Sequence, residues 1–233
     1  MSIGILENKL INFVTEILSD RDESHGIVHA YRVKNFASDI YIAEYMRNII
    51  GIENYSKSSE EIMREKNIID IIAMLHDVAD HKYDIDGKNQ LKMRKFLQLL
   101  VDEKYIEDGD INKIIATIER ISFSREKKYG DNDWQEKLGD EWIYIRNIVS
   151  DADKLDALGK KGLERCIEYS RSIINVEDGD KVEDKVKENV MQHADDKLLL
   201  LKDKYIRTFE GKKLAEKLHD ELVDELEKYI ATD

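Results

Sequence analysis

The sequence predicts an all-α fold, a helical bundle read as one domain over residues 1–233. Three observations carry that expectation. Proline is absent and glycine numbers 11 among 233 residues, so the turn chemistry of a multi-stranded sandwich or barrel is scarce. Apolar residues recur at spacings of three and four in most segments, the period of a helix face. No segment sustains the period-two alternation of a half-buried strand.

Each element follows from that period. Residues 3–19 line Ile3, Leu6, Leu10, Phe13, Val14 and Ile17 along one face, an amphipathic helix with Glu7 and Glu16 rather than a signal peptide. A polar turn, Asp20 to Ser24, leads to a helix over about 25–49 that buries Val28, Val33, Phe36, Ile40 and Ala43. Ser58 or Ser59 caps a third helix reaching about Asp77, with Glu60 and Glu61 in its first turn. Its end, Ile68 to Leu75, is apolar on nearly every side and belongs in the middle of a core. Helices follow over about 88–104 and from an Asp110 cap to about 121. Residues 122–139, largely polar and holding Trp134, read as the longest irregular stretch. Asp140 caps a helix through about 157, Gly159 and Gly162 loosen its continuation, and 163–173 resumes it. After an acidic loop at 174–183, helices over about 184–208 and 211–230 close the chain, with a break at Gly211.

Composition narrows the function. Lys plus Arg number 37 against 50 for Asp plus Glu, a formal charge of −13, which disfavours polymeric nucleic acid as a partner. No window approaches the ~18 consecutive apolar residues of a membrane span. Cys166 is the single cysteine, so no internal disulfide forms, as suits a reducing cytoplasm.

Ionisable groups stand on faces that should be core. His29 shares the inner face of the second helix with Val33 and Phe36, His76-Asp77 follows the most buried run, and Asp151, Asp153 and Asp156 interrupt an apolar helix. Burying such groups costs several kcal/mol unless they are paired or metal-bound. Two imidazoles and two carboxylates suit a mixed N/O site for Mn, Fe, Co, Ni or Zn, with Mg less natural.

The order His29 … His76-Asp77 … Asp153 resembles the HD-domain metal-dependent phosphohydrolase superfamily. Further strings resemble its branch of small hydrolases related to YedJ and YpgQ: Ser24-His25, His29 to Val33, Leu75 to Lys82, Ile121 to Ser124, Asp151 to Gly159, and His193 with Lys197 to Leu199. These strings run in the family order across about residues 22–220, with core motifs at 22–160 and the C-terminal helices at 184–230 packing on them. The resemblance implies that His29, His76, Asp77 and Asp153 hold one divalent ion, Mn favoured. Asp153 is preferred to Asp151 because Lys154 and Leu155 follow it, as they follow the family's last aspartate. His25 then supports a ligand, and no role falls to His219.

The implied function is hydrolysis of a phosphate ester or anhydride of a nucleotide or similar small metabolite, by a monomer or homodimer. Arg32, Lys82 and Lys154 would offset phosphate charge, Asp80 would orient or deprotonate the attacking water, and His193 would reach the substrate. The alternatives are a degenerate module that senses nucleotide or metal without turnover, a helical scaffold for a basic partner, and a di-iron oxygenase of the same fold.

Overall fold

The run Ile68–Leu75 is buried at every position. In the computed structural model, which describes residues 2–19, 26–51, 57–79, 84, 86–174 and 182–231, it forms the C-terminal half of helix α3 (Ser59–Leu75). Helices α1 (Ser2–Leu18), α2 (Ile27–Gly51) and α5 (Asp110–Ile118) all pack on α3. Helix α4 (Lys88–Asp102) lies on α5. A run enclosed this way needs no polar face, and its one charged residue, Asp70, is paired with Lys66 at 2.6 Å. Among the described residues there is no strand.

Local chemistry sets where α3 starts and stops. Ser58 is the cap: its hydroxyl accepts from the Glu61 N–H at 3.2 Å while the Glu61 carboxylate accepts from the Ser58 N–H at 2.7 Å, a reciprocal capping box. The helix ends at Leu75, two residues earlier than its sequence suggests, and His76 to Ala79 form a turn. The buried stripe of α2 runs through His29, Ala30, Val33, Ala37, Ile40, Tyr41 and Glu44. Val28, expected inside, is 53% exposed, because the stripe starts one residue later.

Residues 122–139 are not irregular. They fold into α6 (Phe123–Tyr129) and α7 (Asn132–Gln135). Ser122 caps α6 by accepting from the Arg125 N–H at 3.4 Å, Gly130 turns the chain at φ 68°, and Arg125 pairs with Asp133 at 2.6 Å. Two helices this short carry too few apolar residues to show a period.

Backbone proximity divides the chain into two compact units, Met1–Asp153 and Lys154–Asp233. Helix α8 (Asp140–Leu155) carries the chain out of the first. In the second, α9 (Gly159–Ile173) packs against α10 (Val182–His193) and α11 (Phe209–Ala231). The helix expected over 184–208 is instead α10 followed by two π-helical turns, Ala194–Leu198 and Leu201–Tyr205. The following break falls at Ile206 and Arg207 rather than at Gly211, since the Thr208 hydroxyl accepts from the Gly211 N–H at 3.0 Å and opens α11.

Gly159 and Gly162 tighten the chain rather than loosen it. Gly159 sits at φ 68°, and a Cβ on Gly162 would lie 2.2 Å from the Ala157 carbonyl oxygen. Asp156, the last of the aspartate trio, is buried and paired with Arg165, which also donates to the Asp156 carbonyl at 3.0 Å.

Candidate metal centre

Three segments of the first unit converge on one point. Helix α2 supplies His29 near its N-terminus, the turn after α3 supplies His76 and Asp77, and the last full turn of α8 supplies Asp153. The His29 and His76 Nε2 atoms are 3.2 Å apart. Asp77 spans them, Oδ2 lying 3.6 Å from His29 Nε2 and Oδ1 3.5 Å from His76 Nε2. Asp153 Oδ1 is 3.4 Å from His29 Nε2 and 3.7 Å from His76 Nε2.

The donor chemistry fits a divalent transition ion. His76 Nδ1 lies 2.8 Å from the Ala73 carbonyl oxygen; a carbonyl only accepts, so Nδ1 carries the proton and Nε2 faces the cluster as the donor atom. Two imidazole nitrogens this close, flanked by carboxylates, are stabilised by positive charge between them. Ligand atoms bound at about 2.1 Å in tetrahedral or octahedral geometry stand roughly 3.0–3.4 Å from one another, and the observed separations of 3.2–3.7 Å approach that. His29, His76 and Asp77 each offer a ligand atom within 4.8 Å of the others.

Burial orients the cluster. The two imidazole side chains are 4% exposed, while the Asp77 and Asp153 carboxylates are 17% and 23% exposed. Water or a substrate therefore approaches from the carboxylate side. Asp151, two residues earlier on α8, is completely buried.

The other residues singled out by sequence lie as follows. Arg32 is half-buried on α2, three residues after His29. Lys154 is buried on α8 directly after Asp153. His193 ends α10, its pKa pushed down by burial and by the Lys197 cation, which keeps the ring neutral at pH 7. Asp80, Lys82, His25 and Ser24 lie outside the described residues.

Sequence reasoning passed over Arg146 and Ser150, which share the face of α8 that carries Asp153. Both are fully buried. The Arg146 guanidinium donates to the Arg120 carbonyl at 2.8 Å and to Glu126 at 2.9 Å, with its carbon 3.8 Å from the Trp134 ring centroid. The Ser150 hydroxyl donates to the Ile121 carbonyl at 3.1 Å. Their signal was available: polar residues on a helix stripe that ought to be apolar.

No family model matches the chain. The Bacillus subtilis (strain 168) protein YpgQ is 27% identical over 229 residues, covering 94% of this chain and 90% of YpgQ. Protein L803 of Acanthamoeba polyphaga mimivirus is 30% identical over 154 residues, covering 60% of this chain and 59% of its own length. The crystal structure of B. subtilis YpgQ in complex with ADP superposes with a TM-score of 0.62 at 21% identity, covering 98% of this chain and 95% of that one. An HD-superfamily hydrolase from Bacillus thuringiensis superposes with a TM-score of 0.60 at 24% identity, covering 97% and 95%. These structures share the all-α fold described above. Among the described residues, no helix is long and apolar enough to cross a membrane.

Proposed function

We propose that this chain, a YpgQ-like protein with the HD-superfamily fold, is a metal-dependent phosphohydrolase acting on a nucleotide or similar small phosphorylated metabolite in the cytoplasm, as a monomer or homodimer. The observation that carries the reading is the convergence of His29, His76, Asp77 and Asp153, with the imidazole–imidazole and imidazole–carboxylate separations all between 3.2 and 3.7 Å. The ADP complex of YpgQ supports a nucleotide as the ligand class.

His29, His76, Asp77 and Asp153 would hold a divalent ion, Mn favoured, which would lower the pKa of bound water toward neutrality and polarise a phosphoryl oxygen. The chain supplies the rest. The Ala73 carbonyl holds His76 in the tautomer whose Nε2 is a ligand. Two carboxylates balance the ion's double charge, so the phosphate's own charge must be met by other cations. Arg32 and Lys154 take that role, joined by Lys82. Asp80, three residues after Asp77, orients or deprotonates the attacking water, and the neutral His193 ring hydrogen-bonds the substrate.

Protein stripped with a chelator and refilled with Mn, Co, Ni, Fe, Zn or Mg is expected to regain hydrolysis against a panel of nucleoside mono-, di- and triphosphates, most strongly with Mn. A folded protein that releases no phosphate or pyrophosphate with any of these metals overturns the reading.

A further inference from the structure

Arg146, Ser150 and Asp153 fall within about 60° of one another around α8, since residues four and seven apart nearly complete whole turns. The first two reach consecutive carbonyls, Arg146 to Arg120 at 2.8 Å and Ser150 to Ile121 at 3.1 Å, in the short turn between α5 and α6. The Ile121 to Ser124 string is thus tied to the helix that presents Asp153. A side-chain atom lies about 5–6 Å from its helix axis, so rotating α8 by about 10° displaces the carboxylate by about 1 Å. Metal–ligand distances tolerate only about 0.2 Å.

We propose that Ser150 is a positioning residue, whose hydroxyl, by holding the Ile121 carbonyl, sets the rotation of α8 that brings the Asp153 carboxylate onto His29 and His76. This role rests on the reading of Asp153 as a metal ligand. Arg146 anchors the helix from farther away, and Ser150 is the nearer of the two, less than one turn from the ligand.

The test is metal affinity, measured by chelator competition with Mn on the full chain, together with the visible absorption of the Co(II) form. Ser150→Ala is expected to weaken Mn binding about 10–100-fold, the range found for groups that orient ligands, and to alter the Co(II) spectrum. Ser150→Thr, which keeps the hydroxyl, restores both, and Ser150→Cys, a weak donor, falls between. Ser170→Ala is the matched control, removing an equally buried hydroxyl that donates to the Cys166 carbonyl at 2.8 Å in the second unit; it leaves affinity and spectrum unchanged. Unaltered Mn affinity in the Ala or the Cys variant overturns the role of Ser150. Asp153→Ala separates the two readings: affinity retained there removes Asp153 as a ligand and Ser150's role with it, whereas affinity lost there but intact in Ser150→Ala removes only the latter.

Discussion

Two imidazole nitrogens 3.2 Å apart, one with its second nitrogen held by a backbone carbonyl, are arranged to share a cation. His76→Ala or Asp77→Ala is therefore expected to abolish stoichiometric metal content by elemental analysis, a larger loss than the roughly 10–100-fold that supporting residues cost. Full metal content in either variant would remove the site. Asp133 shows electrostatics of a structural kind. Its hydrogen bond from Arg125 outweighs the opposing effect of burial, and with Lys137 and Arg120 holds its carboxyl at about 2, below the ordinary 3.8. A carboxyl depressed in the folded state adds stability that is fully present above about pH 4 and lost as pH falls toward 2. Asp133→Asn is expected to be less stable at pH 7 by about 1–2 kcal/mol, and the gap from the parent should narrow as pH falls toward 2 in denaturant titrations; a gap unchanged at pH 2 would refute the assignment. The identities of the four clustered residues were legible in the sequence as polar groups on core faces. Which rotamers turn them toward one another was not, because side-chain direction depends on neighbours distant in the chain.

At the scale of elements, long helices announced themselves and short ones did not. Helix α3 was readable from both ends of its logic, a Ser58–Glu61 capping box and a run of apolar residues. The seven residues of α6 bury only Glu126, so its capping serine and terminal lysines were the available signals, without a periodic face beside them. The corner after α8 depends on backbone proximity that no composition reveals. Gly162→Ala would drive a Cβ to 2.2 Å from the Ala157 oxygen and is expected to cost about 3 kcal/mol or more in urea unfolding. Gly139→Ala, which meets nothing within 4 Å, should shift stability by no more than about 1 kcal/mol. Equal effects from the two substitutions would show that the close approach at Gly162 does not exist.

For the whole molecule, a ligand that binds only the folded state raises its stability by mass action. Mn at 100 times its dissociation constant adds about 2.7 kcal/mol, and a chain of this size gains about 2–4 °C per kcal/mol. The chelator-treated protein is thus expected to unfold about 5–11 °C below the Mn-loaded one in calorimetry, with no such shift in Asp77→Ala. Coincident transitions for the loaded and stripped parent would count against a resident ion. The acidic balance of −13 does not oppose this, because ion binding depends on the local donor set rather than on the net field.

The sequence by itself determined the all-α class, the enclosure of α3, and the residue types from which a mixed imidazole–carboxylate centre can be built. These are properties of period and chemical type, both carried by short stretches of chain. The family resemblance already preferred Asp153 to Asp151, and the structure brings the Asp153 carboxylate to the imidazoles; only the tertiary structure decided that Gly162 is held to the Ala157 backbone and that Ser150 and Arg146 grip the segment between α5 and α6. The helix contacts follow from the rotation of α8 against residues 26 and 29 positions away, and the Gly162 approach follows from a backbone corner; local sequence encodes neither the angle nor the corner.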